Sequence, residues 1–242
     1  MTRVLNYGII FTQEYMDSEL IMDSSLIMSK VDHTLLKPVS TWDEVYALCV
    51  EAVKYGAASV CIPPSYVRRA KEAFPELVIC TVIGFPLGYN TTEAKAGELL
   101  KADEEGAAEF DMVVNLGDVK NGDFDKITEE IAVLKKTAGV KVLKVIVETC
   151  CLTRDEKTAL CKAVTKAGAD YIKTSTGFGT GGATMEDILL FKEHIGENVR
   201  IKASGGIRTR EDMEAFISAG CERLGTSSAV KILYGDANGQ GY

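Results

Sequence analysis

The amino-acid sequence predicts an α/β chain folded as a single (β/α)8 barrel of the TIM type. Three observations carry this. Eight short apolar runs alternate with segments of helical period between positions 31 and 234. Four helical segments end on the same repeat, a glycine and a small residue followed shortly by the next apolar run: Tyr55-Gly-Ala, Glu105-Gly-Ala, Ala167-Gly-Ala and Ala219-Gly-Cys. An open doubly wound sheet would use fewer strands and usually shows a Gly-x-Gly-x-x-Gly turn, and none is read here. A length of 242 residues suits one such barrel, which typically takes about 250.

The first strand is expected at 31–35. The helix after it opens at Thr41, whose hydroxyl precedes Asp43 and Glu44 in an N-capping pattern. Strands follow at 58–62 and 78–83, and Thr91 opens the next capped helix. The fourth and fifth strands are expected at 109–114 and 142–147, with Thr153 and Glu156 starting the helix after the fifth. The sixth is expected at 171–174 and the seventh at 200–203, followed by a helix capped at Thr209 with Asp212. The eighth lies at 223–225 and leads into a short terminal helix.

The barrel is thus expected over 30–234, flanked by an extension at 1–29 and a tail at 235–242. The extension has one short apolar run at 7–11 followed by Glu14, Asp17, Glu19 and Asp23, which no secretory leader would carry. It is either a disordered extension or lies upstream of a true start at Met22 or Met28, and is expected outside the core. The tail, with three glycines and no apolar period, is expected to be flexible.

Composition excludes several classes. With 46% hydrophobic residues and 26% charged ones the chain is not disordered, and 35 acidic against 27 basic side chains argue against a nucleic-acid partner. No run approaches the ~18 apolar residues of a membrane span. Seven cysteines, mostly within apolar segments, read as reduced thiols of a cytoplasmic protein. Two histidines, His33 and His194, leave little from which to build a transition-metal site, so neither metal nor cofactor is expected.

Alternation along a strand turns Asp111, Lys173 and Lys202 inward. Isolated charges do not survive there, so the three either form an ion-pair network that sets strand register or serve chemistry. A lysine desolvated beside a second ammonium is easier to hold as the free amine, which attacks carbonyls to form a Schiff base. Lys144 also sits in an apolar strand, without a second lysine beside it, and reads as support for the pocket. His33 reads as structural, or as a hydrogen-bond donor in the pocket. After the last two strands, Ala203-Ser-Gly-Gly-Ile-Arg208 and Gly225-Thr-Ser-Ser-Ala229 offer glycines and hydroxyls where barrels place phosphate sites, or else plain turns.

The segments Asp32-His-Thr-Leu-Leu-Lys-Pro38, Glu109-Phe-Asp-Met-Val-Val-Asn115, Lys144-Val-Ile-Val-Glu-Thr149, Ala167-Gly-Ala-Asp-Tyr-Ile-Lys-Thr-Ser-Thr-Gly177, Lys202-Ala-Ser-Gly-Gly-Ile-Arg208 and Gly225-Thr-Ser-Ser228 closely resemble the deoxyribose-phosphate aldolase family, in order from about Lys30 to Tyr234. The resemblance implies a metal-independent class I aldolase, a lyase that reversibly cleaves 2-deoxy-D-ribose 5-phosphate to D-glyceraldehyde 3-phosphate and acetaldehyde. By position Lys173 matches the Schiff-base lysine, and Asp111 with Lys202 match the proton-relay pair. Asp32 and Cys61 match pocket residues, with Thr176, Gly177, Gly205, Gly206, Gly225, Ser227 and Ser228 around the sugar phosphate. Phe178 stands where some members carry a lysine, so phosphate binding is expected to rest more on backbone N–H groups.

The partners so implied are a sugar phosphate and acetaldehyde, with assembly as a homodimer or higher homo-oligomer. The alternatives are another Schiff-base aldolase or a non-catalytic sugar-phosphate-binding barrel. Tyr242, at the end of a tail long enough to return to the barrel mouth, is either a proton donor to the enamine or a frayed end.

Overall fold

The computed structural model describes residues 22–235, so the expectations for 1–21 and for the tail from 236 onward, Tyr242 included, lie outside the described residues. Eight parallel strands close into a barrel: β1 Val31–Thr34, β2 Ser59–Ile62, β3 Ile79–Ile83, β4 Glu109–Val113, β5 Val142–Ile146, β6 Tyr171–Lys173, β7 Arg200–Ser204 and β8 Arg223–Thr226. Each pairs with its sequence neighbours, and β8 closes on β1 with Asp32 opposite Gly225. The strand ends agree with the sequence expectation to about one residue, because apolar period and turn residues mark the same boundaries.

Ten helices accompany the strands among the described residues: α1 Ser24–Met28, α2 Trp42–Tyr55, α3 Val67–Ala73, α4 Thr92–Glu104, α5 Leu116–Asn121, α6 Phe124–Ala138, α7 Arg154–Lys166, α8 Met185–His194, α9 Arg210–Ala219 and α10 Ala229–Tyr234. The expected caps form. Thr41, Thr153 and Thr209 make reciprocal capping boxes with Glu44, Glu156 and Asp212, and Thr91 accepts from the Ala94 backbone N–H. The four repeated glycines all adopt positive φ, from 70° at Gly56 to 112° at Gly220, where a Cβ would cost energy as the chain leaves the helix. No described helix is long and apolar enough to cross a membrane.

The core is distributed unusually for its radius. The large apolar cluster lies between strands and helices, where the outward strand residues Val60, Ile79, Phe110, Met112, Leu143, Val145, Ile172, Ile201 and Leu224 meet the inner helix faces. Each such fully buried side chain contributes about 1.5–3 kcal/mol. Inside the barrel the apolar cluster shrinks to Cys61, Cys80 and Val82. Other inward positions include Asp32, Ser59, Glu109, Asp111, Lys144, Lys173 and Lys202, all buried. His33 faces the other way: its Nε2 lies 2.8 Å from Glu51 on α2, a structural role outside the barrel.

The N-terminal boundary requires a correction. Residues 22–29 are part of the folded unit, for α1 is capped by Asp23 and buries Ile27 and Met28 completely against α9 and α10. Arg210 of α9 clamps the segment, donating to Ser24 Oγ at 2.8 Å and to the Met22 carbonyl. Five residues of helix give too short a period to be read as core-facing from sequence.

Candidate active site

Lys173 and Lys202 are register partners on β6 and β7, so their inward side chains emerge side by side. Asp111, two strands from Lys173, reaches both. Its Oδ2 accepts from Lys173 Nζ at 2.7 Å and from Lys202 Nζ at 2.6 Å, while Oδ1 accepts from Lys144 Nζ at 2.8 Å. A second layer lies beneath. Lys202 and Arg223 both donate to Asp32, which also accepts from Ser59 Oγ at 2.7 Å, and Arg223 forks onto Glu109 at 3.0 and 3.1 Å. Lys144 bridges the layers, 2.6 Å from Glu109 and 3.6 Å from Asp32.

Electrostatics separate the three lysines. Burial opposes charge on Lys202, but Asp111 and Asp32 beside it outweigh burial and hold the ammonium well above the usual lysine range. Lys144 is held high in the same way, against burial, by Asp111 and its other neighbours. Asp111 lies well below the carboxylate range because three ammonium groups overcome its burial, and Asp32 is lowered likewise by Lys202, Lys144 and Arg223. Four cations, Lys144, Lys173, Lys202 and Arg223, therefore face three carboxylates, Asp32, Glu109 and Asp111. One cation is in excess, and a network in which one lysine is the free amine balances.

Of the three lysines only Lys173 lines a cavity, of about 510 Å³, at the C-terminal mouth of the barrel. The cavity wall also includes Thr176, Gly177, Gly205, Gly206, Gly225, Ser227 and Ser228, the residues assigned to the phosphate from sequence. Gly205 and Gly206 both take φ 76°, turning successive backbone units in a way closed to most side chains. Gly182 packs so closely on this turn that a Cβ there would meet the Gly205 backbone at 2.3 Å. Glycines 177, 179 and 182 have the Gly-x-Gly-x-x-Gly spacing that the sequence reading passed over, but they follow the sixth strand of a closed barrel and serve this packing.

Asp32, Cys61 and Lys144 do not line this cavity: all three are fully buried, one layer beneath it. Asp32 instead accepts from Lys202 and Arg223, and Lys144 donates to Asp111. Three residues were missed by the sequence reading. Lys37 and Arg208 lie on the cavity wall, two cationic residues beside the glycine turns. Glu148, at φ 56° and buried, grips Thr176 through its backbone N–H at 3.3 Å and its hydroxyl. All three stand within or beside the matched motifs, at loops following strand C-termini, and that position was the available signal.

Two groups of ligand atoms, Cys61–Cys80–Asp111 and Asp32–Cys80–Glu109, lie within 4.8 Å of one another, a spacing open to a metal ion. The space is taken. Lys144 Nζ sits 2.8 Å from Asp111, 2.6 Å from Glu109 and 3.3 Å from Cys80 Sγ, and its ammonium already supplies the positive charge.

A model of the DeoC/LacD family of aldolases matches residues 22–231. The chain belongs to that family. The aldolase is 59% identical over 222 residues to the deoxyribose-phosphate aldolase of Clostridium botulinum strain Alaska E43, covering 91% of this chain and all of that one. It is 60% identical over 208 residues to the same enzyme of Clostridioides difficile strain 630, covering 86% of this chain and 95% of the other. Among solved structures, the tetrameric deoxyribose phosphate aldolase of Aeropyrum pernix superposes with a TM-score of 0.82 at 33% identity, covering 87% of the aldolase and 91% of that chain. The aldolase QR15 superposes at 0.83 with 37% identity, covering 86% and 94%.

Proposed function

We propose that this aldolase is a deoxyribose-phosphate aldolase and that Lys173 is its Schiff-base lysine. The observation that carries the assignment is the sharing of one carboxylate oxygen, Asp111 Oδ2, between Lys173 on the cavity wall and Lys202 beneath it. Asp111 and Asp32 hold Lys202 as a cation, which withholds it from nucleophilic attack.

In the cleavage direction Lys173 Nζ attacks C1 of the open-chain aldehyde. The carbinolamine loses water with a proton delivered by Lys202 through Asp111, which lies within hydrogen-bond reach of both nitrogens. The resulting iminium is an electron sink: the C3 hydroxyl gives up its proton, C2–C3 breaks, and glyceraldehyde 3-phosphate leaves. The enamine left on Lys173 is protonated at its terminal carbon, and hydrolysis releases acetaldehyde and the free amine. Lys37, Arg208 and the Gly205–Gly206 turn hold the phosphate, anchoring the far end of the substrate while C1 reaches Lys173. By the same reading the chain works as a homo-oligomer, in keeping with the tetrameric Aeropyrum pernix relative.

Borohydride reduction in the presence of acetaldehyde, followed by peptide mapping, tests the assignment. The label is expected on Lys173 and absent from Lys173→Met; a label on Lys144 or Lys202 overturns it.

A further inference from the structure

Cys150 and Cys151 are the exposed cysteines among the described residues, the other five being buried. They sit in the single turn Thr149–Cys151 that follows β5, with sulfur atoms 4.0 Å apart. One centre bonded to two sulfurs at about 2.3 Å, as in zinc–thiolate bonds, holds them about 3.5–3.8 Å apart, so little movement closes such a bridge. The groups of three protein ligand atoms within bonding range lie elsewhere among the described residues. The pair therefore suits a centre satisfied by two sulfurs and a substituent of its own.

Cys150 is also a bearing surface for the cavity wall. Its sulfur lies 3.9 Å from Glu148 Oε1, the carboxylate that grips Thr176. A Cβ built on Gly179 would lie 2.9 Å from that sulfur, and one on Gly181 would lie 3.0 Å from Cys150 Cβ, so the loop rests on Cys150 with no spare room. Thr176, Gly177 and Phe178 of this loop line the cavity. The Ala183 N–H donates to the carbonyls of Ser204 and Gly205 at 3.1 Å each, joining the loop to the phosphate turn.

We propose that Cys150 and Cys151 form a dithiol site for organic trivalent arsenicals, and that filling it displaces the 176–182 loop and opens the sugar-phosphate cavity. The second half rests on the function assigned to that cavity above. The chemistry is a condensation without oxidant: R–As=O and two S–H groups give two As–S bonds and one water, the oxygen leaving with both thiol protons. The arsenic and its organic substituent add bulk where Gly179 and Gly181 already rest on Cys150 without spare room, and they crowd Glu148, so Thr176 loses its clamp.

The test uses phenylarsine oxide on the full chain, read by intact mass, by hydrogen exchange of the 176–182 amides and by kinetics. One phenylarsenic per chain is expected on Cys150 and Cys151. The loop amides exchange faster, and KM for deoxyribose 5-phosphate rises about tenfold, the scale of a misplaced binding wall. Dimercaptopropanol reverses these effects and a monothiol does not, while Cys150→Ser and Cys151→Ser each remove them. Sensitivity persisting in the double serine variant places the target at the Cys61–Cys80 pair and overturns the site. An adduct at Cys150–Cys151 with unchanged loop exchange and unchanged KM overturns the coupling. Absence of cleavage activity in the untreated protein defeats the functional reading alone, because mass and hydrogen exchange still decide site and loop.

Discussion

Lys173 and Lys202 face each other as register partners on adjacent strands, and their Nζ atoms meet at one oxygen of Asp111, 2.7 and 2.6 Å away. A proton leaving one nitrogen thus has a two-bond path to the other, with no water needed between. The predictions below follow from this pair and from the walls around it.

Lys202→Met keeps the volume of the side chain and removes the donor that Asp111 relays. Turnover is expected to fall by about 10²–10⁴, the usual worth of a positioned acid–base group. Borohydride trapping at Lys173 should survive at a reduced rate. Turnover within a few-fold of wild type would remove Lys202 from the chemistry.

Asp111→Asn leaves Lys144, Lys173 and Lys202 without their shared carboxylate. Breaking a buried pair typically costs about 3–5 kcal/mol, which chemical denaturation measures. Imine trapping should survive only in part, slowed because Asp111 relays the proton that expels water, while deuterium exchange into acetaldehyde drops by about 100-fold. Equal losses in both assays would assign Asp111 to building the nucleophile instead.

Lys37→Ala and Arg208→Ala each remove a cation from the cavity wall. Loss of a charge-assisted contact of about 1.5–3 kcal/mol raises KM for deoxyribose 5-phosphate roughly 10–100-fold. Unphosphorylated deoxyribose should be nearly unaffected. If both substrates lose equally, the two residues shape the mouth rather than bind phosphate.

Ile27→Ala tests the corrected N-terminal boundary. Ile27 is fully buried under α9 and α10, so its truncation should cost about 2–5 kcal/mol, whereas Leu26→Ala, at a side chain 49% exposed, should cost under about 0.5 kcal/mol. Equal, small effects would show that α1 merely leans on the barrel.

Stability should decline on the alkaline side before the lysines titrate. Burial pushes the thiols of Cys49 up to about 11 and of Cys161 and Cys221 up to about 12, whereas unfolded thiols ionise near 8.5. A raised folded value means stability fully present below about pH 8.5 and lost above it, up to about 1.4 kcal/mol per pH unit for each thiol until the folded value is reached. Denaturant melts of Cys161→Ala at pH 8, 9 and 10 should show a shallower decline than wild type. Parallel slopes would mean that other groups set the alkaline limit.

Strand positions were legible from sequence because the strands are short and mostly apolar on the outward face, and glycine ends or hydroxyl caps of the flanking helices mark many of their boundaries. The inward pointing of Asp111, Lys173 and Lys202 was legible because alternation is a local property, and a charge next to a buried apolar residue in a strand shows on the chain itself. Lys37 and Arg208 were not, because a loop residue carries no period and its direction depends on how the strand end before it is tilted. The short helix holding Ile27 was missed because burial of one side of a single turn leaves no repeat to detect.

The sequence by itself therefore determined the eight-fold alternation of strand and helix, which residues point inward and the glycine turns at the seventh and eighth loops, all properties set within a few residues of chain. Closure of the barrel decided the rest. Asp32 and Lys202 stand 170 positions apart and Arg223 and Glu109 stand 114 apart, yet each pair is hydrogen-bonded. Only closure of the eight-strand sheet brings such distant side chains into one buried volume. There the carboxylates that Lys202 and Lys144 meet hold both as cations, and Lys173 alone of the three lysines reaches the cavity.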